Sequence, residues 1–320
     1  NKWRKNNVHT VVFFIFLVAN IGGALTPLGD PPLFLGFLKG VDFFWPIKMM
    51  LFPMCLASIL LLILYFIIDS IYYRMEGDRE SDHQIDTRRI GIEGAPNIVL
   101  LICVAGAVLL SGIWNPPTIP PIYGVEVETQ NICRDFILVL LALTSWHLTS
   151  TEIRNKNGFT WFPMLEVTKL FAGIFITIIP AIAILKAGPE GDLSIIIQMV
   201  TDAEGHPINI MYFWLTGILS SFLDNAPTYL VFFEMAGSYN PVKGGEAADF
   251  LMNGIPTTLM AISAGSVFMG AMTYIGNAPN FMVQSIAEEN NVKMPTFLGY
   301  LLWSSLILVP IYFVISVILF

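Results

Sequence analysis

Two short polar stretches decide how this 320-residue chain can fold: TPLGDPPLFL at 26–35 and TYIGNAPNFM at 273–282. They share a Thr, a Gly, an Asx residue and a Pro at equal offsets. Glycine permits unusual backbone angles and proline removes an amide donor, so each stretch predicts a break in a helix. Both stretches lie inside long apolar runs. Unwound backbone of this kind is tolerated in a membrane where it is buried in protein or lines a cavity.

The composition of the chain is that of a membrane protein. Hydrophobic residues make up 55% of it and charged residues 12%, with a mean hydropathy of +0.69. A soluble domain carries about 25% charged residues. The net charge of −8 lies mostly in loops and predicts no nucleic-acid partner. No catalytic motif is present, so we expect neither an enzyme nor a cofactor. The sequence predicts an all-α polytopic protein of the lipid bilayer.

Eight apolar segments follow one another. They lie at about 9–40, 46–73, 97–114, 131–149, 161–187, 208–237, 247–287 and 296–320. We predict that 208–237, interrupted by SSFLDNAPT, is a re-entrant hairpin and that 247–287 is a broken helix. The chain then crosses seven times, with ten Lys and Arg residues on one side and five on the other. This bias predicts a multi-pass protein of the cytoplasmic (inner) membrane, with its N-terminus cytoplasmic and its C-terminus outside.

The two matching stretches indicate an inverted repeat. In the predicted topology the first crosses outward and the second inward, which is a recurring plan of secondary transporters. We interpret residues 1–76 as the C-terminal part of a first repeat, whose own hairpin would precede residue 1. Residues 77–96 are then a cytoplasmic linker. Residues 97–320 form the second repeat, with its hairpin and its broken helix.

Two carboxylates stand alone in apolar sequence. Asp30 is the only charged residue from 6 to 38, and Asp224 is the only one from 205 to 233. An ionisable group at membrane depth costs at least ~2.5–3.5 kcal/mol on insertion scales and usually marks a transport pathway. Hydroxyl and carbonyl oxygens near breaks suit hard cations. The other predicted binding residues are Thr26, Gly29, Ser221, Asn225, Thr228, Thr273, Gly276 and Asn277.

Each motif also has a structural interpretation. GDPP and DNAP are ordinary turn sequences, in which Asx residues cap the turn and proline follows. For Asn225 and Asn277, a hydrogen bond that holds the unwound tip is as reasonable as direct contact with an ion.

These motifs resemble those of the ion transporter superfamily. SSFLDNAPTYLVFF is similar to its second hairpin, GNAPNF to its second broken helix and NIGGALTPLGDPP to its first. Within the superfamily, the Asp-Asn hairpin and TPLGDPP are most similar to the sodium/proton antiporter branch, often labelled citrate-transporter-like. The resemblance implies ion-site roles for Asp30, Asp224, Asn225 and Asn277, which are the Na⁺ candidates. It also implies a homodimer.

Several functions are compatible with these residues. A desolvated carboxyl group that alternates between a proton and Na⁺ would support Na⁺/H⁺ antiport by alternating access. Na⁺-coupled uptake of citrate or another small carboxylate is the alternative, although central aspartates would repel an anion unless cations neutralised them. Efflux of a neutral oxyacid such as arsenite needs no cationic clamp. A channel or a structural subunit is a further class, which paired helix breaks favour less.

Overall fold

The computed structural model of the chain describes residues 6–76, 93–114, 116–117, 128–161, 194–239 and 247–320, with isolated positions between 164 and 180. These residues form helices and contain no strand, apart from a single bridge between Thr201 and Pro207. The chain divides into two compact units, one of residues 1–79 with 166–320 and one of residues 80–165.

The helices are labelled here in chain order. They are α1 Val8–Leu17, α2 Pro31–Leu38, α3 Trp45–Glu76, α4 Pro96–Ile113, α5 Thr129–Leu148, α6 Thr151–Lys156, α7 Ser194–Val200, α8 Asn209–Leu223, α9 Asn225–Gly237, α10 Ala247–Gly254, α11 Pro256–Met269, α12 Ala278–Glu289 and α13 Phe297–Leu319. Two 3₁₀ segments, Ile21–Leu25 and Gly270–Met272, lie just before the two breaks.

Within the described residues, five helical runs are long and apolar enough to cross a membrane. They are Val8–Leu25, Trp45–Met75, Pro96–Ile113, Thr129–Leu148 and Phe297–Leu319. The pair formed by α10 and α11 is bent by 103° and would add a sixth span. The chain is therefore an all-α polytopic membrane protein with broken helices, as predicted. The predicted span 161–187 and linker 77–96 lie mostly outside the described residues.

The two helix breaks share one backbone geometry. Thr26 and Thr273 are both extended (φ/ψ −141°/153° and −135°/165°), and so are Asp30 and Asn277 (−153°/141° and −155°/135°). A proline at the start of α2 and of α12 provides the fixed φ that suits a first turn and needs no amide partner. The same residue order thus produces the same 3₁₀–turn–helix path twice.

Glycine makes this path possible. A Cβ added to Gly29 would lie 2.2 Å from the Gly23 carbonyl oxygen, and one added to Gly276 would lie 2.6 Å from that of Gly270. The chain folds back on itself so closely at both breaks that any side chain there would meet backbone. The aligned glycines therefore serve the same steric purpose in both copies.

The predicted hairpin is built from α8 and α9. These helices have 15 and 13 residues, shorter than the roughly 20 that a full span needs. Asp224 forms the turn between them with a φ of 75° and a ψ of 144°, a positive-φ conformation that is strained for any residue with a side chain. Its side chain accepts the Ala226 amide (3.3 Å) and its carbonyl accepts the Thr228 hydroxyl (2.8 Å). Two short arms and a tight turn are what a re-entrant hairpin requires.

The end of α11 is held by side chains of α13. Tyr300 donates to the Ala271 carbonyl (2.9 Å) and Tyr312 to the Phe268 carbonyl (2.5 Å). Ser304 donates to the Met272 carbonyl (2.6 Å). A broken helix leaves carbonyls without partners, and an unpaired carbonyl is costly inside a bilayer. These hydroxyls satisfy that requirement in the second break.

Candidate functional site

Asp30 lies at the centre of a buried polar cluster. Its side chain is 3% exposed, and each carboxylate oxygen accepts a hydrogen bond from an amide. Asn225 Nδ2 donates to Oδ1 (2.6 Å) from the hairpin tip, and Asn277 Nδ2 lies 3.2 Å from Oδ2 at the second break. The first break, the hairpin and the second break therefore converge on one carboxylate.

A chain of asparagines continues from Asp30 into the protein. Asn277 Nδ2 lies 3.1 Å from Asn20 Oδ1, and Asn20 Nδ2 donates to Asn280 Oδ1 (2.7 Å). Asn280 Nδ2 in turn donates to the carbonyls of Gly270 and Thr273, both at 2.8 Å. All three asparagine side chains are buried. The chain joins the end of α1 to both sides of the second break and orients the amides around Asp30.

Backbone carbonyls gather beside this network. A Cβ built on Gly276 would lie 3.1 Å from the carbonyl oxygens of both Ser220 and Ser221, at the end of α8. Thr273 donates its hydroxyl to the Ser221 carbonyl, and Ser221 Oγ donates to the Met269 carbonyl (3.0 Å). The C-terminal ends of helices carry partial negative charge. The arrangement therefore favours a cation over an anion.

The structure brings three predicted site residues into direct contact: Asp30, Asn225 and Asn277. Asp224 is half-buried and lies close enough to Asp30 for charge repulsion, and the described contacts include no hydrogen bond between the two. The Thr228 hydroxyl bonds within the hairpin, so that residue shapes the turn. The remaining predicted residues line the breaks: Thr26 and Gly29 in the first, Thr273 and Gly276 in the second, with Ser221 beside the second.

Two members of the network were not predicted. Asn20 and Asn280 are fully buried and make five hydrogen bonds between them and their neighbours. Both are single amides in an apolar context, one just before the 3₁₀ segment and one just after GNAP. An uncharged polar residue at such a place is a weaker signal than a carboxylate, and it could have been found by extending the census of lone polar residues beyond charged ones.

One oxygen in the cluster has no partner. Asn225 Oδ1 is buried and accepts no hydrogen bond from the described residues, although its own Nδ2 is bonded to Asp30. None of the described side chains hydrogen-bonded to this network is cationic. A carboxylate, an open amide oxygen and nearby carbonyls are the ligand types that a hard monovalent cation prefers.

Broken helices that converge on a buried carboxylate are typical of secondary membrane transporters. The comparison with known families agrees: the chain belongs, over residues 1–320, to the family described as "Putative citrate transport". The predicted resemblance to a citrate-transporter-like branch of the ion transporter superfamily is confirmed.

Two curated mycobacterial relatives match the chain. They are "Uncharacterized transporter Rv2684" of Mycobacterium tuberculosis and "Uncharacterized transporter Mb2703" of Mycobacterium bovis, each 26% identical over 296 residues. The alignment covers 88% of this chain and 61% of each relative, so the chain spans under two thirds of their length. No solved structure matches the chain.

Proposed function

We propose that this chain forms the ion site of a secondary active transporter that exchanges Na⁺ for H⁺ by alternating access. The observation that supports this most is Asp30, a buried carboxylate held by two amides with an open amide oxygen beside it. Burial disfavours the charged form of a carboxyl group unless a cation or hydrogen bonds compensate. The same group can therefore bind either a proton or Na⁺, and the two compete.

The competition gives the mechanism. A proton on Asp30 neutralises the site, whereas Na⁺ at the ionised carboxylate completes its coordination with oxygens such as Asn225 Oδ1 and the carbonyls of Ser220 and Ser221. Asn277 occupies the position in TYIGNAPNFM that Asp30 occupies in TPLGDPPLFL. Its amide adds a dipole to the site without adding charge. One occupant at a time keeps the buried site close to neutral in both forms. Alternating exposure of this site to the two membrane faces would couple the two gradients.

Everted vesicles test this proposal. Na⁺ added to vesicles with an imposed proton gradient should collapse that gradient, and Asp30→Asn should abolish the response. The matched control is Asp42→Asn, in the exposed turn between α2 and α3, which should leave exchange unchanged. Full exchange in the Asp30→Asn protein would refute the mechanism. Because the relatives are longer than this chain, the assay should use the whole protein.

Na⁺-coupled carboxylate transport is the second candidate, and the family description favours it. No described side chain bonded to the Asp30 network is cationic, so a citrate anion would need bound cations to bridge it to Asp30. Uptake of labelled citrate that depends on a Na⁺ gradient would make this the main function. Uptake that persists without Na⁺ would contradict a role for the Asp30 site in either scheme.

We also propose the orientation and assembly expected from the sequence. The protein would lie in the cytoplasmic membrane as a homodimer, with Lys2 inside and Phe320 outside. Protease protection of terminal tags in intact cells tests the orientation, and cross-linking in membranes tests the dimer. A tag at the N-terminal end that is cleaved from outside, or a tag at the C-terminal end that is protected, would contradict this topology.

A further inference from the structure

A row of polar side chains follows one face of α8. Asn209, Tyr212, Thr216 and Ser220 are spaced three or four residues apart, so they lie one above another on the same side of the helix. At 1.5 Å per residue the row is about 16 Å long, roughly half the ~30 Å thickness of the bilayer core. Its upper end lies at the hairpin tip, next to the carbonyls that surround the ion site.

Helix α11 runs parallel to this row and closes both of its ends. Thr258 Oγ1 donates to Asn209 Oδ1 (2.7 Å) at the lower end, and Ser220 Oγ donates to the Ser266 carbonyl (2.7 Å) at the upper end. One helical turn below the upper bond, the same register places Ser263 at the level of Thr216.

Among the described residues, three hydroxyls between the two closing bonds have no hydrogen-bond partner of normal geometry. Tyr212, Thr216 and Ser263 are each fully buried, and their hydroxyl oxygens make no hydrogen bond of normal geometry with the described residues. Buried hydroxyls in proteins are nearly always bonded, and where protein supplies no partner an ordered water usually does. Two such groups on α8 and one on the neighbouring α11 therefore indicate bound water.

The row faces a junction of three helices. The ring of Tyr212 packs against the ring of Phe232 on α9, with 6.2 Å between the centroids. The Ser263 hydroxyl of α11 lies near the hydroxyl of Tyr229, which is also on α9. Asn225 follows at the hairpin tip, and its Oδ1 is also buried without a partner among the described residues. Its Nδ2 is bonded to Asp30. The unpaired groups thus lie on helices that run from the Asn209 end of α8 to the hairpin tip beside Asp30.

Helices α8 and α11 approach each other closely at two glycines. A Cβ built on Gly265 would lie 2.4 Å from the Phe213 carbonyl oxygen, and one on Gly217 would lie 2.0 Å from Met269 Sδ. A hydrated Na⁺ needs more room than this contact allows. A file of single waters and hydroxyls can pass a proton by hopping, since each oxygen accepts one proton and releases another.

We infer that the junction of α8, α9 and α11 holds a water file that carries protons between the Asn209 end and Asp30. The inference rests on the proposed exchange and adds a separate proton route to it. Each transfer breaks one O–H bond and forms another on the next oxygen. The file returns to its starting state once the waters and hydroxyls have rotated back. The last water bonds to Asn225 Oδ1 and delivers its proton to the Asp30 carboxylate.

Thr216→Val tests the route, because it removes one hydroxyl and keeps the shape of the side chain. In proteoliposomes we expect the maximal rate of proton movement to fall at least tenfold while the Na⁺ concentration for half-maximal rate changes less than twofold. Thr144→Val is the matched control, since that exposed hydroxyl bonds the Leu140 carbonyl of its own helix. An unchanged rate, or a changed Na⁺ dependence, would overturn the inference.

Thermal unfolding gives a readout that needs no transport. If a water molecule is hydrogen-bonded to the Thr216 hydroxyl, valine removes one of that water's partners and the melting temperature falls. If the hydroxyl is buried dry, the valine relieves an unpaired group and the melting temperature rises, which would overturn the inference. Ser263→Ala should agree in sign with Thr216→Val. If the wild-type protein shows no Na⁺/H⁺ exchange, the proposed function is rejected. The melting temperatures would still decide whether the junction holds water.

Discussion

Asn225 Nδ2 lies 2.6 Å from Asp30 Oδ1, although the two residues are 195 positions apart in the chain. The bond joins the tip of the hairpin to the first helix break and is fully buried. Because Asp30 has a second amide neighbour in Asn277, the carboxylate is held from two sides, by the hairpin and by the second break. The Asp30 cluster is therefore an interface between distant segments of the chain. The hydrogen bonds that stabilise this interface are the same ones that surround the carboxylate.

Asn225→Ala should weaken both the stability of the protein and the hydrogen bonding of Asp30. The substitution removes one amide donor from a buried carboxylate, which we expect to lower the free energy of unfolding by about 1–3 kcal/mol. Thermal unfolding in detergent measures this loss. The control is Asn253→Ala, whose exposed amide donates to Asp249 (2.7 Å) and whose loss should have little effect. Equal stability of the two variants would show that the Asn225–Asp30 bond contributes nothing.

The glycines at the two breaks should be equally intolerant of a side chain. Gly29→Ala and Gly276→Ala would each drive a methyl group into a carbonyl, and overpacking of this kind costs about 1–3 kcal/mol. Gly106→Ala on α4 is the contrasting case, because nothing lies within 4 Å of its added Cβ. That variant should be neutral or slightly more stable. Unfolding temperatures that do not separate the two classes would contradict the shared geometry.

The hydroxyls of α13 should contribute to the second break. Tyr300→Phe and Ser304→Ala each leave a carbonyl of the Gly270–Met272 segment without its donor, at an expected cost of about 1–3 kcal/mol. We expect Na⁺ affinity to fall with stability, because the same segment carries the Gly270 carbonyl that anchors Asn280. Isothermal titration of the purified protein measures the affinity. Normal affinity in a clearly destabilised variant would separate the break from the site.

The ion pair of Lys39 and Glu234 should contribute little. Lys39 Nζ lies 2.5 Å from Glu234 Oε1, and it joins the end of α2 to α9. The lysine side chain is 44% exposed, and solvent screening limits such pairs to about 0.2–1 kcal/mol. A double-mutant cycle with Lys39→Met and Glu234→Gln measures the coupling. A value well above that range would contradict the expectation that solvent screens this pair.

The sequence predicted the breaks and their main residues because charge and backbone chemistry are visible there. Asp30 stood out as a lone carboxylate, and the matched Thr, Gly and Pro positions predicted two breaks that the structure shows with the same angles. Asn225 and Asn277 were predicted through the motifs they belong to. The alternative that they hold the structure by hydrogen bonds also agrees with what is observed, since both bond to Asp30.

Other features depend on tertiary contacts and could not be predicted. Asp224 has the stronger sequence signal, yet it is the neighbouring Asn225 that bonds to Asp30, because the turn directs the two side chains differently. Asn20 lies 260 positions from its partner Asn280, and no local pattern links them. The unpaired hydroxyls of α8 became visible only once the register of α8 against α11 was known. Local patterns predict where a helix breaks, whereas the partners of a break depend on packing.

The distance along the chain between Asp30 and its partners has a consequence for biosynthesis. When the first broken helix leaves the translocation machinery, Asn225 and Asn277 have not yet been translated. The carboxylate must enter the lipid without either amide, at a cost of at least ~2.5–3.5 kcal/mol that the apolar α1 and α3 must offset. In nascent chains stalled before residue 225, the segment around Asp30 should therefore be inserted in the membrane only weakly. Quality-control proteases should remove such chains preferentially.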